Sequence, residues 1–226
     1  MGADNQIIPP AVLMLMQEGS MHNAIQLKFS MWDEELADCN WVLLRKELKI
    51  YRYAKIGDKL RVITYPAGIA RVFAYRDFWI LDEKGETLAC AASTWTLMNL
   101  KTRRMSSIPQ RLIDMQEVEP GQNLPLPAQK LKLPELRDVY KHRVGHYDID
   151  WNGHVNNVVT SRLLLQGIPN EVHQQKKLSS FTIHLKSEIL PNQELTIALG
   201  EEDGVYYHAL KSADDTALVV ASSVWT

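Results

Sequence analysis

Cysteine is scarce in this sequence. Cys39 and Cys90 are the whole complement, too few for a disulfide framework, and so few thiols point to a reduced, cytoplasmic setting. Charge of one sign is lacking as well: 25 basic residues meet 27 acidic ones, leaving a net charge of −2. On that balance neither nucleic acid nor an anionic membrane surface is expected as a partner. No apolar run approaches the ~18 residues that a membrane helix needs, and no signal peptide opens the chain. Low-complexity segments are missing too. What remains is an ordinary globular composition, 46% hydrophobic and 23% charged over 226 residues. That suits one large domain or two small ones.

Polar chemistry is concentrated between Tyr147 and Gln166, where Asp148, Asp150, Asn152, His154, Asn156 and Asn157 sit between apolar flanks. The first half of this stretch alternates as in a strand, and Gly153 permits a turn. Asn156 or Asn157 can then cap a helix that Gly167 and Pro169 bring to an end. Such a strand, turn and helix start would offer a carboxylate, an amide, an imidazole and backbone N–H groups in one place. Taken singly, Asp150 and Asn156 are ordinary turn and cap residues, and a lone histidine on a turn is more often structural than catalytic.

The rest of the chain supplies scaffold. Residues from Pro9 to about Asn23 read as a helix, with Pro9 or Pro10 in its first turn. Val12, Leu13, Met14, Leu15, Met16 and Met21 put apolar groups on every side, so a helix wrapped by other structure is expected. An acyl-chain contact by these methionines ranks second. Strands are expected at 41–51, 59–65, 69–81 and 88–100, then at 180–188, 194–199, 205–212 and 217–225. Prolines 109, 120, 125, 127 and 134 break the region between them. It reads as a linker with a short helix near Arg111 to Glu117. One helix followed by long antiparallel strands, twice over, is an α+β pattern.

The two halves also match in sequence. Residues 88–96 (LACAASTWT) align with 218–226 (LVVASSVWT), sharing Leu, Ala, Ser, Trp and Thr in register. Residues 56–60 align with 191–195 as a turn entering a strand, and 4–10 with 151–157 just before a helix. A duplicated unit accounts for three matches in the same order. Its first copy lacks a counterpart of the strand expected at 139–148, through either a clipped start or a shorter first domain. Ile7 stands where the second copy has His154, so the chemistry is expected in the second half alone.

Three stretches carry a resemblance to a known family. Residues 150–157 (DWNGHVNN) resemble the Asp-x-Asn-x-His-Val-Asn-Asn motif of the acyl-acyl-carrier-protein thioesterases, and residues 95–104 (WTLMNLKTRR) resemble their Trp-x-x-Met-Asn-x-x-Thr-Arg-Arg segment. Phe181 to Glu188 sits where that family has a strand ending in a functional glutamate. The Asn-His-Val-Asn pattern alone also occurs in hot-dog acyl-CoA thioesterases. The resemblance implies a tandem hot-dog fold, two helices each wrapped by an antiparallel sheet. The division expected is 1–104 for the first hot-dog, 105–138 for the linker and 139–226 for the hot-dog carrying the site.

The same resemblance implies hydrolysis of fatty acyl-carrier-protein thioesters without a cofactor, with Asp150, Asn152, His154 and Glu188 at the catalytic positions. Plant members carry a cysteine where this chain has Ile189, which argues against a thiol nucleophile here. A thiol leaving group has a pKa of about 8.5, so the harder tasks are activating water and stabilising the oxyanion. Glu188 is assigned the water; Asp150 would orient His154 or share the base role, and His154 could itself be the base. Asn152 and the N–H groups of Val155 and Asn156 would polarise the carbonyl. Lys101, Arg103 and Arg104, with Arg111, form a basic cluster, read equally as a solvated face and as a dock for carrier protein and its phosphopantetheine. His142, His146, His154, Asp148 and Asp150 would suggest a metal only if they shared a strand face, which the turn should break, so no metal is assigned. Two other functions stay open: an acyl-CoA thioesterase, and a hot-dog module that binds acyl chains without cleaving them. A homodimer is one assembly open to either.

Overall fold

The computed structural model describes residues 1–2, 4–114 and 124–226, and its contacts divide the chain into Met1–Pro127 and Ala128–Thr226. The first unit opens with α1 (Pro9–Gln26), whose leading prolines lack an N–H that the first turn would leave unpaired anyway. Four antiparallel strands follow: β1 (Cys39–Ile50), β2 (Arg61–Ala70), β3 (Phe73–Leu81) and β4 (Thr87–Asn99), in the spatial order β2-β3-β4-β1. The helix packs on β2 and β3. Gly19 lets it come close, since a Cβ there would lie 3.0 Å from a Val62 methyl.

Two expectations for this unit need correction. The helix is apolar all round but buries one stripe, Val12, Leu13, Met16 and Ser20, while Met14 is 41% exposed. The sheet covers it from one side. The run 69–81 is also not one strand: Ile69 and Ala70 end β2, and the chain reverses near Arg71 before β3. That reversal uses a positive φ at a non-glycine residue, Arg71, so no glycine or asparagine announces it.

After α2 (Gln110–Asp114), the second unit contains β5 (Arg137–Arg143), α3 (Asn157–Gln166), α4 (Asn170–Gln175), β6 (Leu178–Leu185), β7 (Glu194–Glu202), β8 (Val205–Lys211) and β9 (Ala217–Trp225). Residues 115–117 of the expected linker helix, and Pro120 with Gly121, lie outside the described residues. The strand order is β6-β9-β8-β7-β5. With β6 for β1, β9 for β4, β8 for β3 and β7 for β2, it repeats the order of the first unit. The added edge strand β5 pairs with β7. The fold is α+β, a tandem hot-dog. Burying the side chains of Leu163, Leu164 and Leu165 on α3 stabilises this unit by about 2 kcal/mol each. Among the described residues, no helix is long and apolar enough to cross a membrane.

Candidate active site

The stretch 147–150 is not a strand. His146–Asp148 winds into a 3-10 turn, because the Asp148 carboxylate accepts the Gly145 N–H at 2.9 Å and Asp148 returns its own N–H to the Gly145 carbonyl. The loop beyond is closed by backbone bonds. Ile149 bridges Val155, Asp150 donates its N–H to the His154 carbonyl at 2.9 Å, and Gly153 donates to the Asp150 carbonyl at 3.0 Å. Gly153 sits at φ +79°, in the left-handed region that favours glycine. Asn156 caps α3, its side-chain oxygen accepting the Val158 N–H at 2.8 Å.

Asp148 anchors this assembly, although sequence reasoning gave it no role. One carboxylate oxygen meets His142 Nε2 on β5 at 2.7 Å, the other faces an Arg162 nitrogen on α3 at 3.5 Å, and its carbonyl accepts the Asn156 N–H. Burial alone would raise its pKa, but the Gly145 N–H, His142 and Arg162 outweigh burial and hold it below the usual carboxylate range. The signal was present in the sequence as His142 and Asp148, a pair that suggests a metal on paper and is a hydrogen bond in the fold.

The structure brings His154 and Glu188 together. Imidazole Nε2 lies 3.3 Å from a Glu188 carboxylate oxygen, and both side chains are about a quarter exposed. The contact follows from the backbone: Val155 donates its N–H to the Ile189 carbonyl at 2.9 Å, which pins the segment after β6 against the loop. Ile189 is buried and aliphatic. Glu188 itself lies past the end of β6 rather than on it.

Two parts of the expected machinery are otherwise engaged. The N–H groups of Val155 and Asn156 are spent on the Ile189 and Asp148 carbonyls, so neither is available to an oxyanion in this conformation. Helix-start donors are attractive on paper only while their partners are unknown. Asp150 is engaged as well. Its carboxylate takes the Asn152 N–H at 2.8 Å and borders a cavity of about 360 Å³ with Gly145, His146, Ile149, Pro191 and Asn192.

The basic cluster lies on the exposed turn after β4, where the Asn99 side-chain oxygen accepts the N–H groups of Lys101 and Thr102. Lys101 is answered in part by Asp38 at 2.8 Å. Arg111 leaves the cluster: it pairs with Glu35 at 2.9 Å and donates to the Lys28 carbonyl. Arg103 and Arg104 remain exposed on the turn.

Known proteins resemble this chain in sequence and in fold. A palmitoyl-acyl carrier protein thioesterase of Cuphea hookeriana is 31% identical over 204 residues, 83% of this chain and 49% of its own length. The chain therefore spans about half the length of such plant relatives. A crystal structure of an acyl-ACP thioesterase from Bacteroides thetaiotaomicron superposes with a TM-score of 0.87 at 20% identity, over 100% of this chain and 93% of that one. The 12:0-ACP thioesterase from Umbellularia californica gives 0.84 at 23% identity, over 100% and 92%. Residues 2–115 match the family model of the acyl-ACP thioesterase N-terminal domain and residues 132–226 that of the C-terminal domain, so the chain belongs to the acyl-ACP thioesterase family.

Proposed function

We propose that this protein hydrolyses fatty acyl-carrier-protein thioesters in the cytoplasm, releasing free fatty acid and carrier protein by attack of an activated water. The observation that supports this reading most directly is the contact between His154 and Glu188. A carboxylate held beside an imidazole can fix its tautomer, accept a proton from water and stabilise the cation that results. Asn152 polarises the thioester carbonyl, taking the part that Val155 and Asn156 cannot. Asp150, beside the cavity, helps position the water. The thiolate departs with little need for a strong acid. Carrier protein, acidic and phosphate-bearing, docks on the turn of Arg103 and Arg104, with Lys101 at its edge.

The test is steady release of free thiol from acyl-carrier substrate by wild type, Asp150→Ala and Glu188→Ala. Turnover in wild type and its loss in both variants support the reading. Substrate bound without any turnover in wild type would instead identify a non-catalytic acyl-binding module. Higher kcat/KM on the CoA-linked substrate than on the carrier-linked one would make it an acyl-CoA thioesterase.

A further inference from the structure

The first unit buries two cations on one sheet face. Lys46 on β1 and Arg76 on β3 both pair in register with Ser93 on β4 between them, so the three side chains form a row on the same face. Lys46 is 7% exposed and Arg76 8%. Their nearest acids in sequence alternate to the opposite face, where Glu47 faces Lys49 at 3.6 Å and Asp77 accepts the Leu124 N–H at 2.8 Å. Among the described residues no carboxylate pairs with either cation. Lys46 has the Phe78 ring 4.7 Å from its ammonium, a partial substitute for an anion. Arg76 makes its hydrogen bonds from one nitrogen, Nη1, to Asn23 and Thr64 at 2.7 and 3.2 Å. Its Nε–Nη2 edge, the one that grips a carboxylate by two parallel bonds, makes none among the described residues.

The fold does not require this charge. In the second unit the register position equivalent to Lys46, opposite Ser223 on β9, is Phe181, fully buried and apolar. Burying a cation with no carboxylate partner among the described residues is costly, and the sister unit fills the same place with a ring. Leu48, Phe78 and Ile80, all buried, share the face with Lys46 and Arg76, so the surroundings suit an alkyl chain.

We infer that this face of the N-terminal unit binds the carboxylate of an alkyl-chain acid between Lys46 and Arg76. That carboxylate has two sources, a free fatty acid or the far end of an acyl chain that is itself an acid. Burial, and then the charge of Arg76, bring the Lys46 ammonium down to about 8, so it is still largely protonated at neutral pH and ready to meet an anion.

Isothermal titration of the full chain with sodium dodecanoate and with sodium dodecanedioate tests the inference. At least one acid should bind to wild type, Lys46→Met should weaken that binding about tenfold or more, and Lys46→Arg should keep it within about threefold. Binding of dodecanoate identifies a free fatty acid as the source; binding of the dioate alone identifies an acid-tipped chain. No binding of either acid at millimolar concentration overturns the inference, and so does equal affinity in wild type and Lys46→Met. The Met variant should fold, since an apolar residue occupies the equivalent place in the sister unit, and its melting temperature should not fall. No turnover is involved, so failure here leaves the hydrolase reading standing.

Discussion

Trp225 donates its indole N–H to Ser223 Oγ at 2.9 Å, two positions back on β9. Trp95 makes the same bond to Ser93 at 2.7 Å on β4. The repeat is thus preserved down to a side-chain hydrogen bond. The copies then diverge: Ser93 donates to the Arg76 carbonyl, whereas Ser223 reaches His208 at 2.8 Å.

His208 is fully buried, with Nδ1 donating to the Leu164 carbonyl at 3.1 Å and Nε2 accepting from Ser223. Both bonds suit the neutral ring. Burial lowers its pKa from 6.5 to about 4. Between those values the unfolded chain takes up a proton that the folded chain refuses. Stability is therefore complete above about pH 6.5 and falls as pH drops toward 4, by about 3 kcal/mol for this one group. Urea unfolding at pH 7 and pH 4.5, compared between wild type and His208→Gln, should show a smaller pH effect in the variant.

Glu188→Gln keeps the shape of the site and removes the carboxylate proposed to accept a proton from water. We expect kcat to fall about 100-fold or more, with KM changed little. The same loss in His154→Gln, and no further loss in the double variant, would show that the pair acts as a unit. Additive losses would count against it.

Asp148 predicts an effect on architecture. Its folded pKa lies below the ordinary 3.8, so its contribution is full above that value and disappears as pH falls through the lowered one. Asp148→Asn should cost about 1–3 kcal/mol at pH 7, because His142 and the Gly145 N–H lose a charged acceptor. The cost should shrink near pH 3, as measured by urea unfolding at both values.

Charge reversal at Arg103 and Arg104 should raise KM for the carrier-linked substrate several-fold, by about 1 kcal/mol or more of lost attraction at low salt. A small soluble thioester should be hydrolysed as before. Equal effects on both substrates would argue against docking at this turn.

Gly153→Ala should destabilise the protein by about 1 kcal/mol. Nothing lies within 4 Å of the added Cβ, so the cost comes from φ +79° alone. A melting temperature equal to wild type would show that the loop relaxes freely.

By itself the sequence determined the α+β class, the duplication, nearly every strand and the capped helix after Asn156. Those features depend on local periodicity, on turn residues and on a repeat written in the letters themselves. Family motifs marked Asp150, Asn152, His154 and Glu188. Tertiary structure alone decided their partners, since a backbone N–H near a helix start has no address until the chain folds around it. It gave Val155 to Ile189, Asn156 to Asp148 and Glu188 to His154, turned Asp148 from a bystander into an anchor, and set Lys46 beside Arg76. Pairings between strands far apart in sequence leave no periodic trace along the chain, so they are settled only when the sheets form.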